Sequence, residues 1–258
     1  MALIKTPTQL NLIRQAGQKL ARVLVDIKTS VKPGVTTLAL DQQIGNLISK
    51  ERATPSFLHY EGYPYTTCIS VNEQVIHAFP STYQLKEGDI VTIDVGLWYK
   101  RVCVDAARTY AAGAISDTNR TLLTTTQKAL QAGIAQAQVG QRIGAVSSAI
   151  QAVAQANKLG IVRSYTGHGV GTAVHEDPSV PNIGVKTDGP QIRAGMVLAI
   201  EPMFTLGSGD VYTENDGWTV VTVDKSWAAQ FEDTVIVTPQ GPEIVTRLLH
   251  KVKKSDIV

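Results

Sequence analysis

An α+β fold built from two similar halves is predicted by three features of this 258-residue sequence. Long stretches carry apolar residues at helical spacing, runs of β-branched residues follow them, and this order of helix, helix and strands occurs twice. No obvious sequence repeat accompanies the second occurrence, and no low-complexity stretch or linker divides the chain. The expected layout is one domain over residues 1–258, with its core at about 8–248 and a basic tail at 249–258.

Thr6-Pro7 followed by Gln9 reads as a helix start, with Thr6 as N-cap, Pro7 in the first turn and Gln9 closing a capping box. Leu10, Ile13, Ala16, Gly17, Leu20, Val23, Leu24 and Ile27 then form one apolar stripe that ends before Lys32-Pro33-Gly34. A second stripe of Leu40, Ile44, Leu47 and Ile48 covers about Thr37 to Arg52, and the segment on to Pro64 is irregular and aromatic. From Cys68 to Tyr110 strands are expected, notably Ile90 to Trp98 and Arg101 to Tyr110, after a Gly88-Asp89 turn. Asn119 to Val139 and Ile143 to Lys158 read as the second helix pair, separated by Gly140 and closed by Gly160. Strands over Met196 to Thr205, Gly217 to Asp224 and Gln230 to Thr238 complete the second half.

Lys plus Arg (24) nearly balance Asp plus Glu (22), so nothing drives the chain as a whole toward nucleic acid or anionic lipid. No apolar run is long enough to span a bilayer, and Lys5 and Pro7 stand where the apolar stretch of a signal peptide would lie. Cys68 and Cys103 have neither CxxC spacing nor the density of a disulfide scaffold, so free thiols in a reducing cytoplasm are expected.

Carboxylates are the chemically informative residues. Asp94 and Asp105 both sit inside apolar strand patterns, where acids are rare without compensation. A hairpin with Tyr99-Lys100 at its tip pairs Trp98 with Arg101 and makes the two aspartates direct cross-strand neighbours at about 5 Å. Either one of them is then protonated or a cation lies between them; the alternative is two exposed aspartates. Glu201 follows the apolar run Met196 to Ile200, and Glu232 lies between Phe231 and the run Thr234 to Val237. Each alone could be a solvated strand position, but four such acids together are hard to satisfy without metal.

His168 and His175 lie in the glycine-rich stretch Thr166 to Pro178. A dinucleotide loop fails as a reading, because Val174 occupies the third glycine position after Gly169 and Gly171. Their seven-residue spacing also differs from an HExxH pair, so one can be a ligand and the other a hydrogen-bond donor. His77 at a strand end is ambiguous, and His59, His250 and the basic residues Lys251, Lys253 and Lys254 receive no site role. A site of four carboxylates and one imidazole suits Mn, Fe, Co or Zn at two adjacent positions, where ions about 3.5–4 Å apart could share a water and polarise a carbonyl.

In order and spacing, Asp94, Asp105, His168, Glu201 and Glu232 resemble the five-ligand site of the pita-bread metallopeptidases. The matching motifs are Ile93-Asp94-Val95-Gly96, Gly167-His168-Gly169-Val170-Gly171, Ala199-Ile200-Glu201-Pro202 and Gln230-Phe231-Glu232, and the resemblance runs from about Leu10 to Thr246. Within that family the chain is most similar to the type I methionine aminopeptidases, through Cys68-Ile69-Ser70-Val71-Asn72-Glu73 leading to His77 and through Gly217-Trp218-Thr219-Val220. Only residues 176–200 separate His175 from Glu201, so the type II insertion is absent; an amino-terminal extra domain and a zinc-finger extension are also not expected.

The resemblance implies a pita-bread fold, with two pseudo-symmetric helix-helix-strand halves around a curved antiparallel β-sheet. It implies that Asp94 chelates one divalent ion, Asp105 and Glu232 bridge two, and His168 with Glu201 completes the second, while Glu201 also shuttles a proton. His175 is then expected on the scissile carbonyl or developing oxyanion, His77 on the following amide nitrogen, and Tyr60, Tyr63, Cys68 and Trp218 on the wall of a methionine pocket.

Expected partners are nascent polypeptide N-termini whose second residue is small, without membrane or specific nucleic acid. Near-neutral charge gives little support to a transient ribosome contact, and monomer is the default. Phe57, Val174 and Asp233 depart from residues frequent in the family. The alternatives are an Xaa-Pro-type peptidase on the same ligands and, in another class, a noncatalytic pita-bread binding module.

Overall fold

The computed structural model describes residues 3–248, so the basic tail, with His250, Lys251, Lys253 and Lys254, lies outside the described residues. Among them are four α-helices: α1 (Pro7–Lys28), α2 (Thr37–Lys50), α3 (Asp117–Gln136) and α4 (Ile143–Ala156). The Thr6 hydroxyl accepts from Gln9 N and the Gln9 side chain accepts from Thr6 N at 2.9 Å, which is the expected capping box. The third helix starts earlier than Asn119, because Ser116 caps it through Asn119 N at 3.1 Å. It also stops earlier than Val139, because the backbone turns at Ala137 and reaches φ +92° at Gly140.

Helix α1 lays its stripe, from Ile13 to Ile27, against the long strands Ile90–Tyr99 and Val102–Ala111. These strands pair with each other, and Cys68–Val71 and Thr54–Pro55 add to the other edge of Ile90–Tyr99, all antiparallel. In the second half α3 packs on α4 over a core that includes Leu198, Ile200, Phe204 and Val235. Its five-stranded sheet runs in the order Gly241–Ile244, Asp233–Thr238, Val197–Ile200, Gly167–Gly169, Glu176–Val180. Among the described residues no helix is long and apolar enough to cross a membrane.

The two halves meet along a seam. Residues 105, 107 and 109 face residues 234, 232 and 230, antiparallel, but side chains replace two of the three ladder contacts. Glu232 N donates to Ala107 O at 2.9 Å. On one side of it the Thr234 hydroxyl accepts from Asp105 N at 2.9 Å and donates to Asp105 O at 2.7 Å. On the other the Thr109 hydroxyl accepts from Gln230 N at 3.0 Å and donates to Gln230 O at 2.7 Å. Each half lends one threonine to clasp one residue of the other, so the backbone groups beside the acids are satisfied without a regular sheet.

Two expectations need correction. The hairpin tip is Lys100-Arg101, both with positive φ (47° and 70°) as a two-residue turn of the mirror-image type requires. The register is therefore Trp98↔Cys103, with Asp94 opposite Ala107 and Asp105 opposite Gly96, so the two aspartates are diagonal rather than direct neighbours. They keep the same face because the register moved by two residues, not one. The strand expected over Met196 to Thr205 is divided into Val197–Ile200 and Met203–Thr205, and that over Gln230 to Thr238 is replaced by Ala228–Gln230 and Asp233–Thr238. The gaps fall at Glu201-Pro202 and Phe231-Glu232, where proline or the seam takes over from the ladder.

Gly17, in the middle of α1, touches the C-terminal segment: a Cβ there would lie 2.4 Å from the carbonyl oxygen of Val245. Helix propensity alone makes Gly17→Ala stabilising by about 1 kcal/mol. The clash is with backbone and reverses that sign, so a net loss of roughly 1–3 kcal/mol is expected in urea denaturation. A gain in stability would show that Val245 does not seat against α1.

Candidate metal centre and active site

Every acid of interest is fixed by a different backbone element. Asp94 and Asp105 project from the two long strands, Glu201 ends Val197–Ile200, and Glu232 sits on the seam between Ala228–Gln230 and Asp233–Thr238. His168 is the centre of Gly167–Gly169, whose glycines allow close passage: an added Cβ would stand 2.4 Å from Ala199 O at Gly167 and 2.1 Å from Asp177 O at Gly169.

These elements bring all five residues together. Ligand atoms of Asp105, His168 and Glu232 lie within 4.8 Å of one another. His168 Nε2 is 3.8 Å from Glu201 Oε1, and Asp94 stands diagonally across the ladder from Asp105 on the same face. None of the four carboxylate residues is more than 9% exposed. Burial, and then the charge of Asp105, hold Asp94, Glu201 and Glu232 well above the ordinary carboxylate range. Burial lifts Asp105 to about 7. The same burial pushes His168 and His77 down to about 4 and lowers His175, so the imidazoles are neutral where a ligand or neutral donor is needed.

Asp94 Oδ1, Asp105 Oδ1 and Glu232 Oε1 are buried with no hydrogen-bond partner. Buried oxygens of this kind are normally satisfied. Here they converge with a neutral imidazole, so the donor set fits a divalent cation, which would offset the carboxylate repulsion and occupy the orphaned lone pairs. The triad Asp105, His168 and Glu232 is suited to metal coordination.

The remaining expected site residues gather around this cluster. The rings of His175 and His168 are 4.4 Å apart, and the Tyr60 hydroxyl lies 3.1 Å from His175 Nδ1. His77, with φ 58° just after its strand, packs edge-on to Trp218 and Tyr165 at 6.3 and 5.6 Å. Trp218 packs on Tyr63 at 5.0 Å, and the buried Tyr63 hydroxyl is spent on the Thr67 and Ala78 carbonyls. Cys68 lies directly across the ladder from Asp94, and burial followed by that carboxylate pushes its thiol well up. A neutral thiol among aromatic rings is a surface for an apolar, polarisable side chain.

The sequence of residues 11–239 matches metallopeptidase family M24. The chain belongs to that family. A methionine aminopeptidase of Clostridium perfringens is 47% identical over 246 residues, 95% of this chain and 99% of that protein. The crystal structure of a methionine aminopeptidase from Thermotoga maritima superposes with a TM-score of 0.94 at 40% identity, covering 96% of this chain and all of that one (100%). A prolidase from Pyrococcus furiosus shares the fold, with a TM-score of 0.78 at 21% identity over 96% of this chain and 66% of its own. The M24 chain thus has the pita-bread fold that its motifs imply.

Sequence reasoning missed several residues that hold the site. Gln230 Nε2 donates to Glu201 Oε2 at 2.8 Å from a fully buried position, and Asn182 Nδ2 donates to the Glu201 carbonyl at 3.2 Å. The available signal for Gln230 was a polar amide at the end of the run Ala228-Ala229, two residues before Glu232. Of the three departures, Phe57 and Val174 are buried in the same apolar core. Asp233 is fully buried and gripped by Arg108 at 2.6 Å, Arg247 at 2.5 Å and the Thr246 hydroxyl at 2.8 Å, while Arg108 also donates to the Glu232 carbonyl.

A stability profile follows from the raised carboxyl values. A group whose folded pKa is raised stabilises the fold while it is protonated, and this contribution is lost as pH climbs through the folded value. For Asp105 the window runs from its ordinary 3.8 to about 7. Chelator-treated protein should therefore melt at a lower temperature at about pH 8 than at about pH 5, and saturating divalent metal should remove most of the difference. Equal melting temperatures in chelator would mean that the acids do not oppose one another.

Proposed function

We propose that this M24 chain is a methionine aminopeptidase that removes the initiator methionine from nascent polypeptides whose second residue is small. The observation that carries the reading is the acid–imidazole cluster, with the Cys68 thiol across the ladder from Asp94 and the Tyr63 and Trp218 rings packed together nearby. Two divalent ions, drawn from Mn, Fe, Co or Zn, suit a donor set dominated by oxygen that recruits no cysteine. In this assignment Asp94, Asp105, His168, Glu201 and Glu232 would together hold the ions. When bound, such ions supply Lewis acidity and bring the pKa of a coordinated water toward neutrality.

The chain's own residues do the rest. Gln230 occupies Glu201 Oε2, which leaves Oε1 toward His168 and free to accept and pass on a proton. Tyr60 engages His175 Nδ1, leaving Nε2 to donate to the scissile carbonyl and to the oxyanion that develops there. His77 faces the amide nitrogen after the cleaved bond. Tyr60, Tyr63, Cys68 and Trp218 receive the methionine side chain, whose flexible thioether packs against rings and sulfur. The free α-amino group of the substrate is held near the metal cluster, which makes the enzyme an exopeptidase. In this reading the chain acts as one catalytic domain, as a cytoplasmic monomer whose contact with the ribosome is at most transient.

Loaded with Mn or Co, the protein should cleave Met-Ala-Ser faster than an Xaa-Pro peptide and should lose turnover when a chelator is added. Faster Xaa-Pro cleavage would reverse the assignment, and no turnover with any divalent metal would favour a binding module. His175→Ala should lower kcat by about 10²–10³-fold, the scale for losing one oxyanion donor, with calorimetric metal affinity unchanged. A loss of metal binding in that variant would instead make His175 a ligand.

A further inference from the structure

Lys5 and Glu176 form an ion pair at 2.5 Å with both side chains only 2% exposed. Burying an ammonium and a carboxylate costs desolvation energy that their attraction does not reliably return, so such a pair is weak as a stabiliser and calls for another explanation. Lys5 is threaded through a narrow slot ahead of α1. Its backbone N donates to Gly195 O at 2.8 Å. Its aliphatic stem crosses Gly171, where an added Cβ would lie 2.7 Å from Lys5 Cε. Gly171 has φ +137° and Gly195 φ +85°, so both walls of the slot are turns that disfavour other residues.

Glu176 is more than the partner of a lysine. While Oε2 takes the ammonium, Oε1 accepts from Thr172 N at 2.5 Å, from the Thr172 hydroxyl at 2.8 Å and from Ala173 N at 2.9 Å. One carboxylate therefore closes residues 172–176 on themselves, and Lys5 neutralises and holds that carboxylate from outside the loop. His175 lies within the closure. Tyr60 steadies its ring, but the position of its backbone is set by the loop.

We propose that Lys5 is a positioning residue of the site: through Glu176 its ammonium locks the 171–176 loop and so fixes where the His175 imidazole meets the substrate. The role given to His175 rests on the functional reading above, whereas the locking of the loop does not. Lys5 also precedes residues 11–239, the span of the family match, so the assignment comes from its contacts alone.

The test compares the metal-loaded wild type with Lys5→Met and with the double variant Lys5→Met/Glu176→Gln. Lys5→Met strands a buried carboxylate and can fail to fold; the double variant buries no charge, keeps an amide oxygen to accept from Thr172 and Ala173, and so keeps the test open. Misplacing a reacting group by about 1 Å costs up to about 100-fold, so kcat on Met-Ala-Ser should fall about 10- to 100-fold while KM stays within about threefold. Exchange of the Thr172 and Ala173 amide hydrogens should quicken about tenfold or more, and metal affinity by calorimetry should be unchanged.

A folded variant whose kcat stays within about twofold of wild type overturns the proposal. So does a fall in kcat with unchanged exchange at Thr172 and Ala173, or one matched by a loss of metal affinity. If the wild type itself leaves Met-Ala-Ser intact, the functional reading falls alone, and the exchange measurement still decides whether Lys5 locks the loop.

Discussion

Mutual repulsion among buried carboxylates is the constraint around which this molecule is built. Asp94, Asp105, Glu201 and Glu232 are buried together, and the charge of Asp105 raises the cost of ionising the other three. Left on flexible segments, such groups would swing out to water. Here they cannot, because each lies on a strand, directly after one, or on the seam that joins the halves. The reciprocal clasps of Thr109 on Gln230 and Thr234 on Asp105 satisfy the backbone where a regular ladder stops. The ladder gives way to these side-chain contacts where the acids gather, so the seam secures the halves beside the cluster.

How much of this was legible depends on how local each signal was. Acids inside apolar runs stood out because burying an isolated charge is expensive, and all five members of the cluster were found that way or by motif. The capping box at Thr6 was legible because its parts lie three residues apart. The hairpin register was not, since Lys100-Arg101 carries none of the Gly or Asn that usually marks a turn with positive φ. Strand ends at Glu201 and Glu232 were hidden because their apolar runs continue through the break. Gln230 was named only as part of a motif, because its role comes from Glu201, twenty-nine residues away along the chain.

Burial acts in opposite directions on the two kinds of titratable group. It makes the acids hold protons and the imidazoles release them, so His168 and His77 are neutral well below neutral pH. A neutral imidazole has one donor and one acceptor nitrogen, and its neighbours decide which is which. At His175 the deciding neighbour is Tyr60, held in a turn where His59 and Glu61 take φ of 68° and 49°. Left-handed backbone at two residues other than glycine is costly, and such cost is commonly found where a side chain must be aimed.

The ends of the described chain have parallel duties. Near the start, Lys5 grips Glu176, the residue after His175. Near the end, Arg247 grips Asp233, the residue after Glu232, with Arg108 completing the hold. In both cases a carboxylate adjacent in sequence to a site residue is fixed by a cation that lies beyond the family-matched span of 11–239. Such placement suits a site under internal repulsion. The groups that face the cluster must stay uncrowded, so the restraint is applied one residue away, on side chains that turn outward from it. Local sequence could not reveal the first strap, since Lys5 and Glu176 are separated by 171 positions, and the second joins Asp233 both to Arg247, 14 positions on, and to Arg108, 125 positions back.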